Sequence, residues 1–385
     1  MTSNKQMKIT YPPKTYSFFS VVLSVVFILF LIIDFTYSKF FLINLKEINI
    51  EHKIFHHHLL PNKEEVQGGD KHPKFKVITN SLGFRDSKIR EIDLKKKNRI
   101  VFIGDSFTFG VLLDYEYTVP GLADIYFREK GIQVLNAGVS SYSPSIYYFK
   151  TKFFIEQGLK FSHLVVFIDI SDIVDEAVAY VVDEQNESVK NNPQSPIKMT
   201  NSSKNLKTKF KEFLKLNFNI TYAFTKYIDD NFIDVAASKI FAPEKNFIDN
   251  IASEKYTRDK WTIDENVKKK YDLGIQKSIY YMGLLKNLLD ENEVKLTIVV
   301  YPWFSQIYHN DLESIQVKIW EEFSRKNGNQ FINLFPVFIN SENKDLSVQD
   351  KILKNFIPYD VHWNKNGSKV VFENFIKSFN LDYKN

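Results

Sequence analysis

Three hydrophobic patterns divide this chain. The first is an unbroken one: from Thr15 to Ile33 there is no charged residue, and Phe18, Phe19, Val21, Val22, Leu23 and the run from Val25 to Ile33 would cover every side of a helix. Roughly 20 such residues cross a bilayer, and apolar residues all round a helix suit lipid better than a one-sided core position. The pattern predicts a transmembrane anchor over 15–36. Asp34, Phe35, Thr36, Tyr37 and Ser38 behind it match poorly the small-residue site at which a signal peptide is cut, so the anchor is expected to stay. Lys5, Lys8 and Lys14 precede it without an acidic residue, whereas Lys39, Lys46, Glu47, Glu51 and Lys53 follow. That bias predicts residues 1–14 in the cytoplasm and the rest beyond the cytoplasmic membrane on a single-pass anchor. Residues 37–76 are expected to be a stalk.

The second pattern begins at Arg99, where short apolar runs alternate with longer segments of helical period, as in β-α units around a parallel sheet. The runs 99–104, 132–137, 164–169, 294–301 and 330–334 predict five strands. Leu122, Ile125 and Tyr126 predict a helical stripe that stops at Gly131, and Ile146, Phe149 and Phe153 predict another before Gly158. A long helix is expected near 264–292 and an amphipathic one through Val371, Phe372, Phe375, Ile376 and Phe379.

The third pattern interrupts the second. Residues 176–262 are polar and rich in Asn and Lys, with Asn191-Asn192-Pro193-Gln194-Ser195-Pro196 near their start, and predict an insertion in a domain spanning 77–385. Its first part is expected to be a loop, and Phe210 to Ile240 short helices over the sheet.

Composition narrows the function classes. Lys and Arg exceed Asp and Glu by 51 to 46 without a concentrated basic stripe, so no nucleic-acid partner is expected. The 385 residues contain no cysteine, which removes thiolate chemistry and disulfides. His52, His56, His57 and His58 form a cluster, yet no carboxylate stands beside them at the spacing of a zinc-binding helix, so no metal site is expected.

The candidate chemistry lies at the first predicted strand, Arg99-Ile-Val-Phe-Ile-Gly104, which breaks at Asp105-Ser106. Ligands in open α/β sheets gather at such carboxyl ends. A serine hydroxyl needs a base, and the base needs an orienting group. His362 and Asp360 supply both, since side chains two apart in an extended segment point the same way. His163 is expected at the far end of its strand in a structural role, and His309 at the pocket rim. Tyr301, Trp303 and Trp363 are candidates for stacking on a sugar ring.

Gly104-Asp-Ser-Phe-Thr-Phe-Gly110, with Asn136-Ala-Gly-Val139 and Asp360-Val-His362, resembles the conserved blocks of the SGNH or GDSL-type hydrolases over roughly 77–380. Val77-Ile-Thr-Asn-Ser-Leu-Gly-Phe-Arg85 is similar to a lead-in segment of membrane-anchored or secreted members. The resemblance implies a flavodoxin-like three-layer α/β sandwich with a five-stranded parallel sheet. It implies Ser106 as nucleophile and as one oxyanion donor, and Gly138 as another. The third block departs from the family, because Asp169-Ile-Ser-Asp172 stands where Gly-x-Asn-Asp is usual. Ser171 then either donates to the oxyanion with a shorter reach or caps the next helix. The last block departs too, since Tyr359 lies three before His362 and Asp360 two before it. That Asp-x-His-Trp form is similar to members that add or remove acetyl groups on exported polysaccharides.

The resulting expectation is a serine esterase that cleaves O-acyl, chiefly acetyl, esters on an extracytoplasmic carbohydrate or lipid, with no cofactor. Two rivals stand beside it. An O-acyltransferase would need a multi-span membrane partner to deliver the acyl donor, and an inactive module would serve envelope assembly.

Overall fold

A computed structural model describes residues 14–40, 48–69, 72–195, 210, 213–214, 217–228, 258–340, 346–358 and 360–383. They divide into two units, one drawn from 1–46 and 201–240, the other from 47–200 and 241–385. In the first, α1 (Lys14–Phe40) has 27 residues, and its segment Phe18–Phe40 is long and apolar enough to cross a membrane. Near its end the Asp34 carboxylate accepts hydrogen bonds from Ile220 N (2.8 Å), Thr221 N (2.8 Å) and Thr221 Oγ1 (2.7 Å). Asp34 thus satisfies free N–H groups that open the helix Asn219–Ile228. That helix packs within this unit, on α1; the rest of the segment expected over the sheet, apart from Phe210, Phe213, Leu214, Asn217 and Phe218, lies outside the described residues up to 240.

The second unit opens with a hairpin of β1 (Asn49–His52) and β2 (His56–Leu59), followed by β3 (Glu64–Gly69), β4 (His72–Thr79) and β5 (Arg85–Asp86). Then come β6 (Arg99–Gly104), α2 (Ser106–Phe109), α3 (Val119–Arg128), β7 (Gln133–Asn136), α4 (Pro144–Glu156) and β8 (His163–Ile168). A second hairpin, β9 (Tyr180–Asp183) and β10 (Ser188–Asn191), begins the insertion. After it follow α5 (Asp272–Glu291), β11 (Lys295–Val300), α6 (Ile315–Asn327), β12 (Gln330–Asn333) and α7 (Lys365–Ser378).

The main sheet has eight strands in the order β12-β11-β8-β6-β7-β5-β4-β3. The sheet expected to be five-stranded and parallel is therefore larger and mixed. Its first five strands are parallel and match the predicted runs, and β5, β4 and β3 extend it antiparallel. β3 and the first part of β4 come from the stretch expected to be a stalk, the end of β4 and β5 from the lead-in segment: on β4 Phe75, Val77 and Thr79 are buried while Lys74 and Lys76 are exposed, the alternation of a strand with one wet face. Every residue of β6 and β8 is buried, as strands covered on both sides must be.

The chain steps from β6 outward to β7 and then back past β6 to β8. Right-handed crossovers therefore put α3 and α4 on opposite faces. α7 packs with α3, its Phe375 against Phe102 and Phe167, while α5 packs with α4. On α3 the buried side is Val119, Ala123, Asp124 and Phe127, and Ile125 of the predicted stripe faces solvent. The start set by Thr118, whose Oγ1 accepts from Gly121 N, fixes that rotation.

Two glycines of α5 show how closely it approaches the site. A Cβ on Gly274 would stand 2.1 Å from Ile173 O, whereas one on Gly283 would meet nothing within 4 Å. Gly274→Ala is expected to destabilise the domain by about 1–3 kcal/mol through overpacking. Gly283→Ala should stabilise it by about 0.5–1 kcal/mol through backbone entropy. Denaturant titration of both variants checks the opposite signs.

Candidate active site

The turn after β6 is built around the smallness of one residue. A Cβ on Gly104 would lie 2.1 Å from Thr108 Oγ1 and 2.8 Å from Phe167 O, so only glycine lets the strand pass into α2 here. Asp105 caps the short helix, its Oδ1 accepting from Phe107 N at 2.9 Å. Ser106 is the first helical residue and partly exposed, with an N–H that has no acceptor within the helix by position. Gly110, at φ 85°, ends the turn.

Arg85 holds this turn from behind. Its guanidinium donates to Phe109 O (2.6 Å), Gly110 O (2.7 Å), Lys76 O (3.0 Å) and Leu113 O. Burial lowers its pKa to about 10, which still leaves it charged at neutral pH. The lead-in segment singled out in the sequence thus has a structural task.

His362 reaches the site from the loop before α7. Ile357 N donates to His362 O (2.9 Å), Asn364 N to Asn355 O (2.9 Å), and Phe356 bridges Trp363, so the loop closes on itself. Inside it Asp360 Oδ1 accepts from both His362 N (2.9 Å) and His362 Nδ1. A closed loop, not the extended segment expected, pairs the two residues. Burial works against the Asp360 carboxylate, but the hydrogen bonds and charge of His362 outweigh it and hold its pKa below the ordinary value. The imidazole ring packs against Phe107 of α2 with centroids 4.9 Å apart. Its Nε2 is buried and has no hydrogen-bond partner among the described residues.

The structure therefore forms the Asp360–His362 pair beside α2, but it does not join His362 to Ser106. Ser106 Oγ donates instead to Asp105 Oδ2 at 3.1 Å. The expected oxyanion donors also differ in detail. Gly138 N donates to Asn136 Oδ1 at 3.0 Å and is engaged. The residue is glycine for close approach, since a Cβ would lie 2.9 Å from Phe109 N. Ser171 N donates to Asp169 Oδ1 (2.7 Å), and the Ser171 side chain makes no capping bond to the helix Asp172–Val174.

Beneath Ser106 lies a group that the sequence concealed. Asp105, Asp169 and Asp172 each place a carboxylate oxygen within 4.8 Å of the others, and all three are buried. These are ligand-type atoms close enough to hold a cation, but protein donors already fill several positions. Asp169 Oδ2 accepts from Tyr301 OH (2.9 Å) and Trp303 Nε1 (2.6 Å), and Asp172 Oδ2 from Tyr147 OH (2.8 Å) and Asp169 N (3.1 Å). Burial first, and then the neighbouring carboxylates, push Asp105 and Asp172 well above the ordinary carboxylate range.

Tyr301, Trp303 and Trp363 are buried. They form the floor of the site with Phe107 and offer no face to a sugar. His163 is structural as expected, buried and bonded to Thr297 Oγ1 at 2.7 Å, and His309 is exposed.

No family model matches the chain, and no curated protein matches it. Solved structures similar to it include a member of the lipolytic protein G-D-S-L family from Veillonella parvula (10% identity, 73% of this chain and 97% of that one, TM-score 0.37). The chain is also similar to a GDSL-like lipase from Bacteroides thetaiotaomicron (13% identity, 74% and 89%, TM-score 0.35). A third is an acetylxylan esterase from Geobacillus stearothermophilus (11% identity, 75% and 97%, TM-score 0.37).

The carboxylate group sets a pH dependence. A carboxyl whose folded pKa is raised contributes stability that is fully present below its unfolded value, near 4, and lost as pH rises through the folded pKa. Asp172→Asn keeps the acceptor for Tyr147 and removes that loss. Its Tm is expected to exceed that of the wild type by about 2–4 °C at pH 8, with the difference shrinking toward pH 4. Thermal melts by circular dichroism across this range check it; equal slopes for the two proteins contradict it.

Proposed function

We propose that the protein is a serine esterase of SGNH type that hydrolyses O-acyl esters, chiefly acetyl, on a carbohydrate or lipid outside the cytoplasm, anchored in the cytoplasmic membrane by α1. One observation carries the reading: the Asp360–His362 pair, with a free Nε2, is packed through Phe107 against the short helix that Ser106 begins. No other pairing of a histidine with a carboxylate appears among the described ion pairs.

In this mechanism Ser106 Oγ turns from Asp105 to His362 Nε2 when the substrate enters. Nε2 accepts the hydroxyl proton as Oγ attacks the acyl carbon, and Asp360 holds the Nδ1–H tautomer and stabilises the imidazolium. His362 then protonates the departing alcohol, leaving an acyl group on Ser106. Water, deprotonated by the same histidine, attacks this ester and restores the free hydroxyl. The Ser106 N–H stabilises the oxyanion in both steps, and the Ser171 hydroxyl is a second donor that no helix cap occupies. The acetylated-glycan preference rests on the Asp360-Val-His-Trp363 form of the last block.

The purified full chain in detergent is expected to take a fluorophosphonate label and to hydrolyse p-nitrophenyl acetate and acetylated sugars. Ser106→Ala should abolish the label, and Asp360→Asn should lower kcat by about 10³–10⁴-fold. Labelling that survives Ser106→Ala, or a folded wild type without turnover, rejects the reading; acetyl passed to an added sugar in preference to water favours the transferase.

A further inference from the structure

The histidine-rich hairpin β1–β2 finds its use at the loop 137–142, which follows β7 and rides on the end of β6. Ala137 N donates to Phe102 O (2.8 Å) and Val139 N to Gly104 O (3.3 Å), so the loop runs beside the residues that lead into Ser106. On its other side the loop's carbonyls are taken up by side chains. Lys150 Nζ donates to Ala137 O (2.7 Å), Tyr180 OH to Ser141 O (2.5 Å), and His57 Nε2 to Ser140 O (2.8 Å). Tyr142 OH returns a bond to His57 O (2.7 Å) and accepts one from Lys150 Nζ (3.1 Å).

The chemistry of His57 is determined by its partners. A carbonyl only accepts, so Nε2 must carry the proton, and Nδ1, 2.7 Å from His56 Nδ1, must then accept from it. Loss of solvation, and after it the neighbouring His56, lowers the His57 pKa to about 3, which keeps this neutral tautomer through the range in which an esterase works. Ser141 sits at φ 64°, a left-handed conformation that is strained for a serine and held only by its surroundings. Because N–H and C=O point opposite ways across a trans peptide, the grip of His57 on Ser140 O turns the Ser141 N–H away from the hairpin. That N–H has no acceptor among the described hydrogen bonds.

We infer that His57 is a positioning residue for the esterase reaction: by holding the Ser140 carbonyl from the hairpin, it fixes the direction in which the 137–142 loop offers N–H to the oxyanion formed on Ser106. This rests on the esterase reading above. His57 touches neither substrate nor reacting atoms, and its effect is confined to the transition state, where the oxyanion is fully charged.

Three substitutions separate this role from a merely structural one. A glutamine amide can reach the place of Nε2, an asparagine amide only that of Nδ1, and phenylalanine keeps the ring without a donor. In the full chain in detergent, His57→Phe and His57→Asn are expected to lower kcat on p-nitrophenyl acetate about 10–100-fold with KM within about 2-fold, and His57→Gln to recover most of the loss. Equal damage from glutamine and asparagine, a change mainly in KM, or an unchanged kcat in His57→Phe overturns the inference while leaving the esterase reading intact. A wild type that neither turns over ester nor labels at Ser106 overturns both.

Discussion

Arg85 places a guanidinium at the fully buried junction between the parallel strands and the antiparallel ones added beside them, and the geometry of the site depends on it. A buried cation is tolerated where most of its donors are met, and four main-chain carbonyls, of Lys76, Phe109, Gly110 and Leu113, take up its two terminal nitrogens. Three of those carbonyls belong to the segment that leaves α2. The ring of Phe109 lies under the same cation at 4.7 Å. The turn that carries Ser106 is thereby tied to a strand that precedes it, and β4 and β5 become part of the site's foundation.

The remaining support follows the same logic of buried polar groups satisfied by the backbone. Lys150 carries an amine in the interior with no carboxylate paired to it among the described residues, and burial pushes its pKa well below the ordinary value. It donates to the loop beside β6 as His57 and Tyr180 do. On the opposite side, Asp169 gathers Tyr301 and Trp303 under Ser106. Ser106 thus stands between a loop whose carbonyls are held by side-chain donors and a floor of buried carboxyl groups.

Much of the central fold was legible because fully buried parallel strands read as continuous apolar runs. Ile100 to Ile103, Leu164 to Ile168 and Leu296 to Val300 have no wet face and need no polar alternation. The same rule hid β3 and the start of β4, whose polar residues lie in the stretch expected to be a stalk, and the two-residue β5. Phe75, Val77 and Thr79 did alternate with lysines, but over only a few residues. The histidines of β2, which fell in the same expected stalk, bond instead to the carbonyls of Ser140 and Leu82.

By itself the sequence determined the strand-turn-helix that presents Ser106, the Asp360–His362 partnership and a helix apolar enough to cross a membrane, because each depends on residues close together in the chain. Only the tertiary structure decided the rest. Gly138 is a spacer and not a free donor, Tyr301 and Trp303 form a floor and not a sugar platform, and three aspartates from two different strand ends converge under the serine. Those outcomes depend on which hydrogen-bonding atoms meet across the sheet, a matter of distance and desolvation that linear spacing does not encode.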